Sequence, residues 1–396
     1  MTVVEQSARL ALRTGEDYLA SVNDGRRLFV EGRQVANLAT DPATRDYARR
    51  IADYYDMHHE PALREALTFV DDDGVRRSRA WQLPRTKAEI VQRREFHTTV
   101  SKRIGAGQFG RMPDTSTSVL VTLVDDPLPW ERNAVGADGR GLADNIARFW
   151  RESKAAQRLV TPVFIDSQPD RSNADAFRTS PDLRLVASDE EGITVHGVKA
   201  VSTGAIFAEW FFVGSFYRPG LLPEQCLFFF VRANTPGITI VARKTAFGTG
   251  DAADRPLSAL GDELDSFQHF DHVKVPWAQV VHIGSVEHVQ QYPQRVFDWL
   301  HYADLCRQAV KAELMAGLAI LLTEVAGTAK IPAVQMRVAD VMRFREAVRA
   351  HLIAADDTGF TTPGGLYKPN NLLFDFGGAY YNENAPAVVQ ELVDLA

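Results

Sequence analysis

The chain has 396 residues, 45% of them hydrophobic and 24% charged, an ordinary globular composition long enough for two or three packed units. Its 44 basic and 51 acidic residues leave a net charge of −7, spread without blocks, which speaks against a nucleic-acid surface. No apolar run reaches the ~18 residues of a membrane span; MTVVEQSARLALRTGEDY lacks the basic start and apolar core of a signal peptide; and Cys226 and Cys306 do not make a disulfide framework, so the expected location is cytoplasmic.

Residues 1–157 read as a mainly helical domain. TRDYARRIADYYDM (44–57) repeats apolar residues at helical spacing after Asp41-Pro42. TKAEIVQRREFHTTVSKRI (86–104) does the same behind Thr86 and Glu89, spaced as a capping box, and GLADNIARFWRESKAAQR (141–158) follows. Between the last two lies RIGAGQFGRMPD (103–114), whose Gly105, Gly107 and Gly110 have the G-x-G-x-x-G spacing of a dinucleotide fingerprint. That fingerprint needs a strand before it and a helix opening at the glycines, because the pyrophosphate rests on a helix N-terminus. Here a charged helix precedes it, and Pro113 discourages a helix from opening. The stretch therefore reads as a glycine-rich loop, with Arg111 placed to line a site.

Residues 158–285 change texture. LRLVAS and ITVHGVKAV flank a turn, and EWFFVGSFY, CLFFFVRAN, TPGITIVAR and HFDHVKVPW follow between Gly and Pro. This predicts an all-β domain closed as a small barrel. In residues 286–396 the helical period returns in QRVFDWLHYADLCRQAVKAELMAGLAILLTEVAG, closed by Gly327, then in AVQMRVADVMRFREAVRAHLIAADD and ENAPAVVQELVDLA. Helix–β–helix order predicts an α+β chain ending in a helical bundle. Bundles usually need four helices, so three helices stopping at Ala396 inside an apolar pattern predict an incomplete bundle and a truncated chain.

Few side chains carry chemistry by pattern. His269 and His272 lie three apart around Asp271 in a strand-like run, where such residues point to opposite faces, and His58-His59 are adjacent; no set of metal ligands is completed, and no metal is expected. Neither G-x-S-x-G nor a P-loop occurs. His301 shares a helical stripe with Phe297 and Leu305, and Asp298 and Asp304 are spaced to orient its ring. A lone histidine on such a stripe is most often a core residue. Thr203, beside Gly204 at the end of a strand-like run, reads on pattern as an ordinary strand-end threonine.

Taken in order, RTGEDYLASVNDGR, YYDMHHEP, GRMPD, IDSQPDRS, GVKAVSTG, GDELDSF, VKVPWAQVVHIG and YPQRVFDWLHY resemble the 4-hydroxyphenylacetate 3-hydroxylase family of two-component, reduced-flavin monooxygenases. The resemblance covers essentially the whole chain and is closest to the chlorophenol and nitrophenol branch. It implies an acyl-CoA dehydrogenase-like fold of N-terminal helical domain, β-barrel and C-terminal bundle, assembled as a homotetramer, with FAD bound without a Rossmann motif. By the same resemblance Arg111 faces the phenol and flavin, Gln168 and Arg171 contact FAD, Thr203 stands near flavin N5, and His301 contacts the phenolic hydroxyl. Thr115 stands where the phenylacetate hydroxylases carry a tyrosine, and Pro162 where they carry a substrate-binding histidine. Both departures point away from 4-hydroxyphenylacetate. Family members also continue well past Ala396.

The implied reaction uses FADH2 delivered by a separate NADH:flavin reductase. A flavin C4a-hydroperoxide then hydroxylates a halophenol or nitrophenol with loss of halide or nitrite. Histidine suits removal of the phenolic proton, and an arginine offsets the phenolate charge in a dry site. Two rivals remain at this level: a flavin-dependent acyl-CoA dehydrogenase or dehydratase, and a truncated inactive homologue acting only in assembly. Two cysteines speak against the iron–sulfur cluster of the dehydratases.

Overall fold

The computed structural model describes residues 12–125, 141–142, 144–167, 172, 180–245, 252–291 and 297–396. The helices named here are α1 (Gly15–Val22), α2 (Arg45–Asp56), α3 (Arg64–Leu67), α4 (Lys87–Arg103), α5 (Pro113–Asp125), α6 (Asp144–Ala156), α7 (Val286–Gln291), α8 (Asp298–Val325), α9 (Pro332–Asp357) and α10 (Asn371–Leu395). The strands are β1 (Arg27–Val30), β2 (Arg33–Gln34), β3 (Thr68–Val70), β4 (Arg76–Ser78), β5 (Val160–Val163), β6 (Arg184–Ser188), β7 (Gly192–Thr203), β8 (Trp210–Val213), β9 (Leu227–Arg232), β10 (Ile238–Ala242), β11 (Asp265–Pro276), β12 (Val280–Ile283), β13 (Phe360–Thr361) and β14 (Tyr367–Lys368). They fall into two compact units, Met1–Trp81 with Arg111–Phe297, and Gln82–Gly110 with Asp298–Ala396.

In the first unit the expected closed barrel is, among the described residues, two sheets. One has the order β2-β1-β10-β11-β7-β6, the other β12-β9-β8-β5. Two strands of the larger sheet come from the region that reads as helical: β1 runs parallel to β10, with Leu28 opposite Ile240. β1 and β2 form a hairpin across Glu31-Gly32, both at positive φ (53° and 76°), the geometry of a two-residue primed turn. Glu-Gly is a poor version of the usual Asn-Gly signal, which is why the sequence concealed it.

The N-terminal helices grip the turn that follows β7. The Tyr18 and Tyr55 rings stack at 5.5 Å, and Tyr47 packs 4.8 Å from Phe207. The Tyr18 hydroxyl donates to the Phe207 carbonyl (3.0 Å), and Arg26 donates to the carbonyls of Ile206 and Ala208 (2.8 and 2.7 Å). α5 opens at Pro113, against expectation: the first helical position needs no N–H, so a proline there starts a helix instead of stopping it.

In the second unit α8, α9 and α10 pack on one another, and α4 packs on α8 and α9. The fourth helix thus comes from far upstream, where it reads as part of an N-terminal domain. Its capping box forms as predicted, with Thr86 Oγ1 accepting from the Glu89 amide. The glycines of 105–110 serve packing: a Cβ on Gly107 (φ 80°) would lie 2.8 Å from the Arg307 carbonyl of α8. Phosphate binding is not needed to explain them.

Candidate active-site residues

Arg111 and Thr203 belong to the first unit, and one short segment, Gly-Asp-Glu-Leu-Asp at 261–265, holds both. Glu263 Oε1 accepts from the Arg111 amide (2.6 Å) and from the Tyr47 hydroxyl (3.0 Å). The backbone carbonyls of Glu263 and Leu264 accept from the Gly204 amide (3.0 and 3.2 Å). Asp265 Oδ1 accepts the Thr203 hydroxyl at 2.6 Å, while its Oδ2 accepts from Arg243 Nε at 2.9 Å. Arg243 also donates twice to Asp262, both at 2.8 Å, and these bonds raise its pKa further.

This segment carries backbone strain. Buried Leu264 sits at φ 46° and Gly261 at φ 128°, where a Cβ would meet the Tyr47 amide at 2.6 Å. Gly204 is left-handed (φ 72°), and a Cβ on it would lie 2.8 Å from Arg111 Cβ. Non-glycine residues in this region cost ~1–3 kcal/mol each and tend to mark functional sites. Glu263 and Asp265 are the residues that sequence reading missed: GDELDSF stood out as a string, with no role for either carboxylate. Nothing local links them to positions some 60 and 150 residues upstream.

Thr203 lies on the outer face of the larger sheet. Asp265 stands opposite Thr203, Phe267 is two residues further along β11, and Val241 is opposite Phe267. Val201 (51% exposed), Phe267 (48%) and Val241 (42%) leave an open apolar strip beside the threonine. Because Asp265 is tied to a guanidinium, its carboxylate is acceptor-only, and the Thr203 hydroxyl donates to it. The Thr203 oxygen is then an acceptor toward anything else.

His301 belongs to the second unit, in the first turn of α8. It is exposed, so the core-histidine reading does not hold. Nor do Asp298 and Asp304 orient its ring: Asp298 pairs with Lys368, and Asp304 with Arg307 at 2.9 Å. His301 Nδ1 instead meets Asp375 Oδ1 on α10 at 3.1 Å. Partial burial raises the Asp375 carboxyl above its usual range, with His301 opposing that shift. With Nδ1–H donating to the carboxylate, Nε2 is the basic nitrogen. Gln168 and Arg171 lie outside the described residues.

Three buried histidines, His58, His282 and His288, are held toward the neutral form by burial. His58 bridges the Tyr54 carbonyl (2.7 Å) and the Ser78 hydroxyl (2.9 Å), and burial lowers its pKa to about 4. His282 and His288 stack at 4.0 Å, and burial lowers them to about 3 and about 4.

Two family models match this chain: 4-hydroxyphenylacetate 3-hydroxylase N terminal over residues 14–282, and the C terminal of the same family over 290–396. The chain is 49% identical to a 2,4,6-trichlorophenol monooxygenase of Cupriavidus pinatubonensis, across 97% of this chain and 74% of that one. It is 45% identical to the oxygenase component of a 4-nitrophenol 4-monooxygenase/4-nitrocatechol 2-monooxygenase of Rhodococcus opacus (97% and 73%). The fold is similar to that of the oxygenase component of 4-hydroxyphenylacetate 3-monooxygenase solved with FAD, at TM-score 0.88 and 24% identity over 97% of this chain and 79% of that one. It is also similar to an archaeal 4-hydroxybutyryl-CoA dehydratase, at TM-score 0.82 and 18% identity over 98% and 77%. The chain belongs to the 4-hydroxyphenylacetate 3-hydroxylase family, in its chlorophenol and nitrophenol branch.

Proposed function

We propose that this protein is the oxygenase component of a two-component, FADH2-dependent monooxygenase that hydroxylates a halophenol or nitrophenol with loss of halide or nitrite. The observation that carries the reading is 45–49% identity, along 97% of the chain, to a trichlorophenol monooxygenase, an FADH2-dependent monooxygenase and the oxygenase component of a nitrophenol monooxygenase. The acyl-CoA alternative is not favoured, since the dehydratase likeness is one of fold at 18% identity. A separate NADH:flavin reductase as partner, a homotetrameric assembly and a cytoplasmic location belong to the same proposal.

The residues present suit FAD. A planar ring system needs exposed apolar surface to lie against, and Val201, Val241 and Phe267 offer it. Reduced flavin presents an N–H donor at N5, and Thr203, its own proton committed to Asp265, is set to accept one. Gln168 and Arg171 are proposed to contact the cofactor as well. When bound, FADH2 supplies the activation of O2 from which one oxygen atom reaches the aromatic ring.

The chain's own contribution is protonic and electrostatic. His301 Nε2 takes the phenolic proton while Asp375 holds Nδ1–H and stabilises the resulting imidazolium. The phenolate is a far better carbon nucleophile than the phenol. Arg111, its backbone pinned by Glu263, balances the phenolate charge. Oxygen delivered to a carbon bearing halogen or nitro expels that group and leaves a quinone.

The test is a panel of chloro-, nitro- and unsubstituted phenols, incubated with chemically reduced FAD and O2. Quinone formation with stoichiometric halide or nitrite is expected without any reductase, and NADH with oxidised FAD alone should give none. Sustained turnover with NADH alone would sink the two-component reading; no product from any phenol would sink the substrate class.

A further inference from the structure

On β7 and β11, three ligand-bearing side chains meet that sequence periodicity keeps apart. In the register of the two strands Phe270 stands opposite Gly197 and Val273 opposite Val195. Asp271 and His272 therefore both face the single residue His196, a β-bulge of two against one. The bulge places His272 in the left-handed region at φ 49°, a conformation that few non-glycine residues adopt. It also undoes the alternation that would have sent His269 and His272 to opposite faces. The ring of His196 lies 4.4 Å from that of His272 and 5.9 Å from that of His269.

We propose that His196, Asp271 and His272 bind one divalent transition ion of imidazole preference, with Zn2+ as the reference ion. One ligand atom from each falls within 4.8 Å of the others. His196 Nδ1 is 3.6 Å from Asp271 Oδ1, and His272 Nδ1 is 2.8 Å from the same oxygen. Tetrahedral zinc with bonds of 2.0–2.2 Å separates its ligands by about 3.4 Å, so the site closes by rotation of exposed side chains. His196 Nδ1 is shielded from water and has no hydrogen-bond partner among the described residues. The nearby cation Arg184, paired across β6 with His196, is held by the carbonyls of Ser180 and Asp182 (2.7 and 3.4 Å). Two imidazoles and one carboxylate favour zinc or copper over magnesium or calcium, which take oxygen ligands. His269, with its ring 5.9 Å from that of His196, would add a third imidazole as the fourth ligand after a side-chain rotation, and the ion would clamp β7 to β11 at the bulge.

The test is calorimetric titration of ZnCl2 into the full chain, carrying no histidine tag and stripped of metal, beside His196→Gln, His272→Asn and a remote His59→Gln control. One saturable site per chain is expected, with zinc raising the melting temperature. His196→Gln and His272→Asn should each weaken binding at least tenfold, the lower end of what loss of even an outer partner costs a metal site. The His59 control should bind as the parent does. Unchanged melting of the variants without zinc checks their folding, and these side chains are partly or fully exposed. No saturable site, or less than tenfold weakening in either variant, overturns the proposal.

Discussion

Two side chains carry most of what can be learned by substitution. Thr203 contributes one hydrogen bond, worth ~1 kcal/mol, so Thr203→Ala should leave FAD affinity within about tenfold of the parent. Its effect should appear as uncoupling: more H2O2 and less quinone per FADH2 consumed, read by peroxide and product assays on the same sample. Equal coupling in the two proteins would remove Thr203 from the cofactor's surroundings. For His301, which is exposed and tied to Asp375, His301→Asn should lower hydroxylation about 10²-fold at neutral pH. Raising the pH toward the phenol's own pKa should restore much of the rate, because the phenolate then arrives preformed. Asp375→Asn should act in the same direction by about tenfold, with the same rescue at high pH. A structural role for either residue would lower the melting temperature instead and leave the pH profile unchanged.

At the scale of an element, the turn after β7 is where the fold meets the chemistry. Gly204 is left-handed and pressed against Arg111 Cβ, so Gly204→Ala meets both backbone strain and a 2.8 Å contact. A left-handed alanine costs roughly 1–2 kcal/mol, and relief of the contact must displace Arg111 or break the Gly204 amide bonds to the 263–264 carbonyls. The expected result is a lower melting temperature and a raised KM for the phenol. Loss of stability with unchanged KM would mean that the turn does not set the position of Arg111.

Across the whole molecule, three buried histidines lower stability in mild acid. His58, His282 and His288 have folded pKa values of about 4, about 3 and about 4, against 6.5 unfolded. Between pH 6.5 and 4 the unfolded chain binds more protons than the folded one, so stability falls as the pH falls, by roughly 2 kcal/mol for each such group at pH 5. Asp356, raised to about 6 by burial, has the opposite sign: in the folded chain it binds a proton that the unfolded chain releases, so it gains stability as the pH falls through 6. Asp375, also raised by burial, acts in the same direction as Asp356; the three histidines outweigh the two carboxyls, and the net slope is a loss. Urea midpoints at pH 7 and pH 5 should show it, and His282→Gln should make it shallower. An unchanged difference between the two midpoints in His282→Gln would rule out that histidine as a contributor.

The sequence by itself determined the secondary structure where periodicity was long and caps were explicit. The Thr86–Glu89 box, the helix ending near Gly327 and the β runs between 184 and 276 depend on neighbours within a few residues. It also carried the family, because many short strings in a fixed order are a property of the chain itself. Only the tertiary structure decided which distant residues share a task. The fourth bundle helix lies some 200 residues before the other three; Asp375 reaches His301 from 74 residues away; Glu263 and Asp265 hold Arg111 and Thr203. A hydrogen bond depends on distance in space, and local spacing proposes only partners on the same turn, as Asp298 and Asp304 were proposed for His301. The bulge at Asp271–His272 shows the same limit, since alternation along a strand holds only until pairing with another strand inserts a residue.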